Sequence, residues 1–254
     1  MLSKRGTELR LTALLLLAAA VVAWLVTLDR MRGMDMGPGT DLGGLGWFAG
    51  VWAVMMAAMM LPSLVPMADA YAGQARAGSE TGAPRSLMQT TLFVGGYLLA
   101  WVLVGLAAWT LVKEVRLFDV GFLDWGKGGR YVAGAVIAAA GVYELTPMKA
   151  RSLRHCRDRG LLGADWHGGP LGALRMGLGQ GAHCIGSSWA LMAALFALGV
   201  MSITWMVVIA ALVAMEKLLP RPALTSRAAA TVLLALAVGV ALVPETLPGL
   251  TIPV

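Results

Sequence analysis

The sequence predicts an all-α protein, a polytopic transmembrane helix bundle of about seven spans. Three observations carry that prediction. Hydrophobic residues make up 58% of the 254 positions and charged residues only 13%, whereas a soluble domain carries about 25% charged residues. The mean hydropathy is +0.75. The few charges fall between long apolar runs, the pattern of a chain that crosses a bilayer several times. Lipid then hides the apolar surface, and packing of helix against helix sets the fold.

Seven apolar segments follow in order: 9–29, 46–67, 87–112, 130–149, 170–198, 202–219 and 226–244. The first, "LTALLLLAAAVVAWLVTL", comes after Lys4, Arg5 and Arg10. It is longer than the core of a signal peptide, about 7–15 residues, and no small-x-small cleavage site follows, so a retained helix is expected. The fifth and sixth runs meet at a very short turn near "GVMS". Six spans with one re-entrant segment is therefore the alternative count. There is no internal repeat and no low-complexity tail, and residues 1–254 are expected to form a single integral membrane domain.

The net charge of +6 points to topology rather than to nucleic acid, because of where the basic residues fall. With the N-terminus inside, the inner segments hold Lys4, Arg5, Arg10, Arg76, Arg85, Lys149, Arg151, Arg154, Arg157, Arg159, Arg175, Lys217, Arg221 and Arg227. The outer ones hold Arg30, Arg32, Lys113, Arg116, Lys127 and Arg130. That is fourteen of the twenty basic residues against six, and the excess belongs on the cytoplasmic side. A multi-pass protein of the bacterial inner membrane with a cytoplasmic N-terminus is expected. The loop around "KARSLRHCRDRGLLGADWHGG" is then cytoplasmic, and "PETLPGLTIPV" lies outside.

Candidate metal ligands concentrate in three places. The stretch "WAVMMAAMMLPSLVPM" has five methionines in sixteen positions. Residues four apart on a helix share a face, so Met55 pairs with Met59 and Met56 with Met60. Thioethers are soft ligands suited to Cu(I). Methionine is also a flexible filler of irregular helix packing, and either role accounts for the stripe. Pro62 and Pro66 follow, each removing a backbone donor, and Ser63 is placed to satisfy a carbonyl freed there. The outer loop "DRMRGMDMGPGTDLGGLG" adds Met31, Met34 and Met36 around Asp35, a candidate entry site. The third place is "GLGQGAHCIGSSWALM". Glycines 168 and 172, and again 177 and 181, have the spacing that lets helices approach closely. His183 and Cys184 follow near mid-span, where an ionisable residue is costly and points to function.

Glu144 and Glu216 lie near inner ends of spans, each close to a lysine in sequence, Lys149 and Lys217; ion pairing at the interface is the expected account. The two cysteines, Cys156 and Cys184, are too few for a disulfide framework, and a bond between them is not expected. The chain shows no Gly-rich phosphate loop after a strand, no Ser-His-Asp arrangement and no heme-attachment motif, so an enzyme is not expected.

Taken as an ordered set, "VWAVMMAAMMLPSLVPM", "GVYELTPMKARSLRHCR", "GLGQGAHCIGSSWALMAALFALGVMSITWM" and "EKLLP" resemble a bacterial family of predicted metal-binding integral membrane proteins, domain of unknown function 2182. The likeness spans about residues 45 to 222 and implies a helical inner-membrane protein with a metal role. Family members tend to carry C-L-x-x-C after the "TPLK" element, where this chain has Ser152 and Cys156. They also tend to carry C-x-G-C-C before "WALM", where this chain has Cys184 followed by Ser187 and Ser188. Either the metal role rests here on methionine and histidine, or it has been lost. The "MMAAMM" stretch is also similar, locally, to the pore methionines of eukaryotic high-affinity copper transporters.

Two functions are expected to compete. In the first the protein handles Cu(I), as a transporter or as a membrane chaperone delivering to a periplasmic acceptor. Metal would then pass from Met31, Met34 and Met36 to Met55–Met60, with His183 and Cys184 completing the site. In the second it is a non-catalytic structural or assembly subunit of a larger membrane complex, and the same residues only pack. Partners are the lipid bilayer and other membrane or periplasmic proteins, not nucleic acid, and the oligomeric state is open.

Overall fold

A computed structural model describes residues 2–31, 43–77, 83–117, 128–160, 168–199 and 202–244. Their regular structure is helical. The helices are α1 (Leu2–Met31), α2 (Leu45–Ala77), α3 (Ala83–Leu117), α4 (Arg130–Glu144), α5 (Pro147–Arg157), α6 (Gly169–Gly199), α7 (Ile203–Leu218) and α8 (Pro222–Leu242). Five of them, α1, α2, α3, α6 and α8, are long and apolar enough to cross a membrane. The bent pair α4–α5 makes a sixth if it is one span.

The seven spans expected from the apolar runs are thus not reproduced. The fourth run, 130–149, is broken within itself. Thr146 accepts a hydrogen bond from the Lys149 backbone N–H and caps a new helix, with Pro147 in its first turn. Ser/Thr caps followed by proline are strong helix starts, so the chain turns by 66° instead of running on. The sixth run forms α7, which has 16 residues and is about 24 Å long at 1.5 Å per residue. That is short of a hydrocarbon core of about 30 Å.

Burial follows helical periodicity. On α1 the buried positions are Thr12, Leu16, Ala20, Ala23, Thr27 and Met31, while Leu14, Leu15, Val21, Val22 and Leu25 are exposed. The spacing of three and four puts one narrow stripe against α2 and leaves the rest exposed. On α8 the stripe is Ser226, Ala229, Ala230, Leu233, Ala237 and Val240, laid on α4. The core sits between these outer helices, where α2, α3, α6 and α7 meet.

Two details fix how closely that centre packs. At Gly177 an added Cβ would lie 2.0 Å from the carbonyl oxygen of Phe93, and at Gly181 one would lie 2.6 Å from the Ala100 methyl carbon. Backbone of α3 therefore rests on backbone of α6 through the second of the predicted glycine pairs. Gly168, of the first pair, faces open space. At the other contact, the Trp52 indole donates to the carbonyl of Trp101 at 2.8 Å, tying α2 to α3 just before the methionine stretch. Pro62 and Pro66 do not end α2, which runs on to Ala77. Their missing donors leave the carbonyls of Ala58 and Pro62 without the usual partner, whereas Ser63 donates to the carbonyl of Met60 at 2.8 Å. The Ser63 hydroxyl thus serves a carbonyl two residues, about half a turn, from either of the freed ones.

Candidate metal centre

Cys184 is fully buried on α6. Its sulfur is approached from α7 by the Lys217 ammonium at 2.6 Å. From α3 the Tyr97 hydroxyl shares a hydrogen bond with it at 2.9 Å. Cys156, at the last turn of α5, is also buried and free, and its thiol interacts with that of Cys184. Gln180, one turn before Cys184, donates to the Cys156 carbonyl at 2.9 Å and holds that end of α5 against α6. The Lys217 nitrogen also lies 3.8 Å from the Met60 sulfur on α2. Four helices and the short α5 thus bring two thiols, a thioether, a phenol and an ammonium to one buried point.

Beside it lies a second buried polar group. Lys149 donates to Glu144, and to Glu216 at 2.8 Å. Ser226 on α8 donates to the other oxygen of Glu216 at 2.8 Å. The expected Glu144–Lys149 pair is therefore present, but Glu216 does not pair with its neighbour Lys217. Consecutive helical residues point about 100° apart, so Glu216 and Lys217 face different partners. Lys149 takes both carboxylates, and Lys217 is left to the sulfurs. Arg157 closes the region by donating to the carbonyls of Glu216 and Leu219 at the end of α7.

The sequence-singled residues separate on this geometry. Met55, Met56, Met59 and Met60 are all buried in the core, and none is turned to lipid. Met60 is the one of the four whose sulfur reaches the charged centre. Cys184 is at its middle. His183 is exposed and stacks on His155 with ring centroids 5.3 Å apart. The same 100° step that buries Cys184 turns His183 outward, so these neighbours do not form one site. Met31 is the last residue of α1, buried in the core, and not a loop residue. Met34 and Met36 lie outside the described residues. Tyr97, Gln180, Cys156 and Lys217 complete the centre and are not among the predicted ligands. Cys156 and Lys217 carried a signal, each being an ionisable residue at an edge of the apolar bundle. Tyr97 and Gln180 carried none.

Among the described residues no group of three or more His, Cys, Asp and Glu side chains is placed to hold a metal ion. A site built on sulfur is of a different kind. Two thiols and a thioether suit Cu(I), which takes few, soft donors.

Fold and site together define a multi-helix protein, compatible with a multi-pass place in a membrane, whose inner core carries a sulfur centre. The chain belongs to the PpoB2 family of copper chaperones, whose model matches residues 49–240. That range takes in α2 to α8 nearly whole, with Met60, Cys156, Cys184 and Lys217. The match is consistent with the metal-related membrane family expected from the motifs, under a different family name. No curated protein and no solved structure matches the chain.

Proposed function

We propose that this protein is a membrane copper chaperone that holds one Cu(I) on Cys184, Met60 and Cys156 and passes it to an acceptor protein, without catalysing a reaction. The observation that carries the reading is the convergence of sulfur on a single cation position. The Lys217 ammonium has Cys184 and Met60 as its partners, so a monovalent positive charge already fits between them. Family membership supplies the metal. By the charge asymmetry of the loops the centre lies near the cytoplasmic ends of α5 and α7. Met56, Met59 and Met55 continue the line of thioethers from Met60 toward the outer side, about 7.5 Å over five residues. Metal moving along that line would leave the centre in the direction of the periplasmic side, where an acceptor is expected, and the line covers only part of that distance. His183 has no part in this path.

The test is Cu(I) stoichiometry and affinity of the protein in detergent, by competition with a chromogenic chelator. Wild type is expected to bind one Cu(I). Cys184→Ser should abolish binding, and Met60→Leu should weaken it. Leucine nearly matches methionine in volume, so a packing cost under about 1.5 kcal/mol accompanies the lost thioether. Met55→Leu/Met59→Leu should leave binding at the centre intact. Wild-type protein that binds no Cu(I), or Cys184→Ser protein that binds it as wild type does, sinks the reading and leaves the methionines as packing.

A further inference from the structure

Lys217 needs an explanation that an ion pair alone does not supply. It is buried beside two carboxylates, yet its hydrogen bonds go to sulfur, 2.6 Å to Cys184 and 3.8 Å to Met60. A thioether is a weak acceptor for an ammonium, and this one offers little by itself to hold a charge in the core. The same two sulfurs are the donors that Cu(I) would take. Lys217 itself lines a cavity of about 130 Å³, together with Ser63, Pro66, Met67, Cys156, Arg157, Arg159 and Leu218. A single water needs about 10–15 Å³ of such space, so the cavity takes an ammonium and some of its hydration. The lysine stem is four carbons long and flexible. Rotation about it carries the charge from the sulfurs into the cavity without moving α7.

Resting on the reading of Cys184 and Met60 as copper ligands, we propose that Lys217 is a tethered cation that holds the Cu(I) position in the metal-free protein and is displaced into the adjoining cavity when copper binds. In the exchange Cu–S bonds form at Cys184, the thiolate paired with the ammonium, and at Met60, and the two N–H···S hydrogen bonds break; Cys156 joins as its thiol proton leaves to water in the adjoining cavity that it lines. The ammonium keeps its proton, the metal enters and leaves as Cu(I), and nothing is oxidised or reduced. One positive charge replaces another, so the sulfurs are never left without a counter-charge in the core. In the cavity the ammonium faces Arg157 and Arg159, and this like-charge neighbourhood favours its return. Lys217 thus sets how readily copper is released, which is what separates a carrier from a store.

A competitor that leaves the site free about a tenth of the time lowers apparent affinity about tenfold. Lys217→Gln and Lys217→Leu should therefore bind Cu(I) tighter than wild type, by on the order of tenfold, and transfer it to a chelator more slowly. A lysine that merely stabilises the Cys184 thiolate predicts the reverse, weaker binding in both variants. The second measurement uses the wild-type chain and does not depend on either variant folding. Brief acetylation at one pH, read by mass spectrometry, should modify Lys217 more in the copper-loaded protein than in the metal-free protein, while Lys149 stays protected in both. Weaker or unchanged affinity in the variants, or Lys217 no more reactive with copper bound, overturns the exchange while leaving the copper site standing. Wild-type protein that binds no Cu(I) removes the site and the exchange together.

Discussion

Replacing Gly177 by alanine tests how the fold builds the centre. The added Cβ would lie 2.0 Å from the Phe93 carbonyl oxygen and 3.0 Å from the Tyr97 nitrogen. Both are backbone atoms of α3, so no rotamer can yield. Restoring an ordinary contact of 3.4 Å moves the two helices apart by about 1.4 Å at this point. Overpacking of this kind costs about 1–3 kcal/mol, and the upper half of that range applies where backbone meets backbone. At about 2–4 °C per kcal/mol for a chain of this size, the melting temperature in detergent should fall by several degrees. The displacement also reaches the metal centre. Tyr97 is one turn from Phe93, and its 2.9 Å bond to Cys184 crosses the same interface. Loss of an outer partner of a metal ligand typically costs on the order of 10–100-fold in affinity, and Gly177→Ala should weaken Cu(I) binding within that range. Gly179, two residues on, has nothing within 4 Å of its added Cβ. There alanine should be neutral or stabilising by up to about 1 kcal/mol through helix propensity. Thermal unfolding and chelator competition on the two variants side by side give the answer. A Gly177→Ala protein as stable as Gly179→Ala, with wild-type copper affinity, refutes the close α3–α6 contact and its link to the centre.

Two other expectations concern the charges. Lys149→Met leaves Glu144 and Glu216 buried without their shared cation, which should destabilise the protein by about 3–5 kcal/mol; denaturation in detergent measures it, and Glu144→Gln in the same background should recover part of the loss. Unchanged stability of the single variant would mean that the carboxylates are not held charged by Lys149. For orientation, a cysteine introduced at Gly160 should be closed to a membrane-impermeant thiol reagent in intact cells, and one at Gly39 open to it. Labelling of position 160 from outside reverses the topology and moves the proposed copper centre to the other face.

Periodicity and composition already contain most of the scaffold. Apolar runs separated by basic loops dictate a helical bundle, because backbone polar groups in lipid can be satisfied only within helices or closed barrels. The spacing of Gly177 and Gly181 marks the face where another helix comes close, and that face is where α3 rests. Glu144 and Lys149 lie near enough in sequence for a local pairing, and they pair. The Met55–Met60 stripe reads as interior, and it is interior. The count of seven spans is not reproduced at two places: a local cap, Thr146-Pro147, bends the fourth apolar run, and the sixth run forms only the 16-residue α7. What lies opposite each face is a different kind of information. Adjacent His183 and Cys184 look like one site on paper, yet the helix turns them 100° apart: the cysteine enters the buried centre, while the histidine stays exposed and stacks on His155 of α5. Lys217 stands next to Glu216 and 33 residues from Cys184, but its ammonium goes to the cysteine because Lys149 has already taken the carboxylate. Cys156 reaches the centre because α5 bends back toward α6, and Tyr97 because two glycines let α3 approach. Helical period thus decides which residues share a face, whereas contact between faces is decided by long-range packing, and the sulfur centre exists only where five such faces converge.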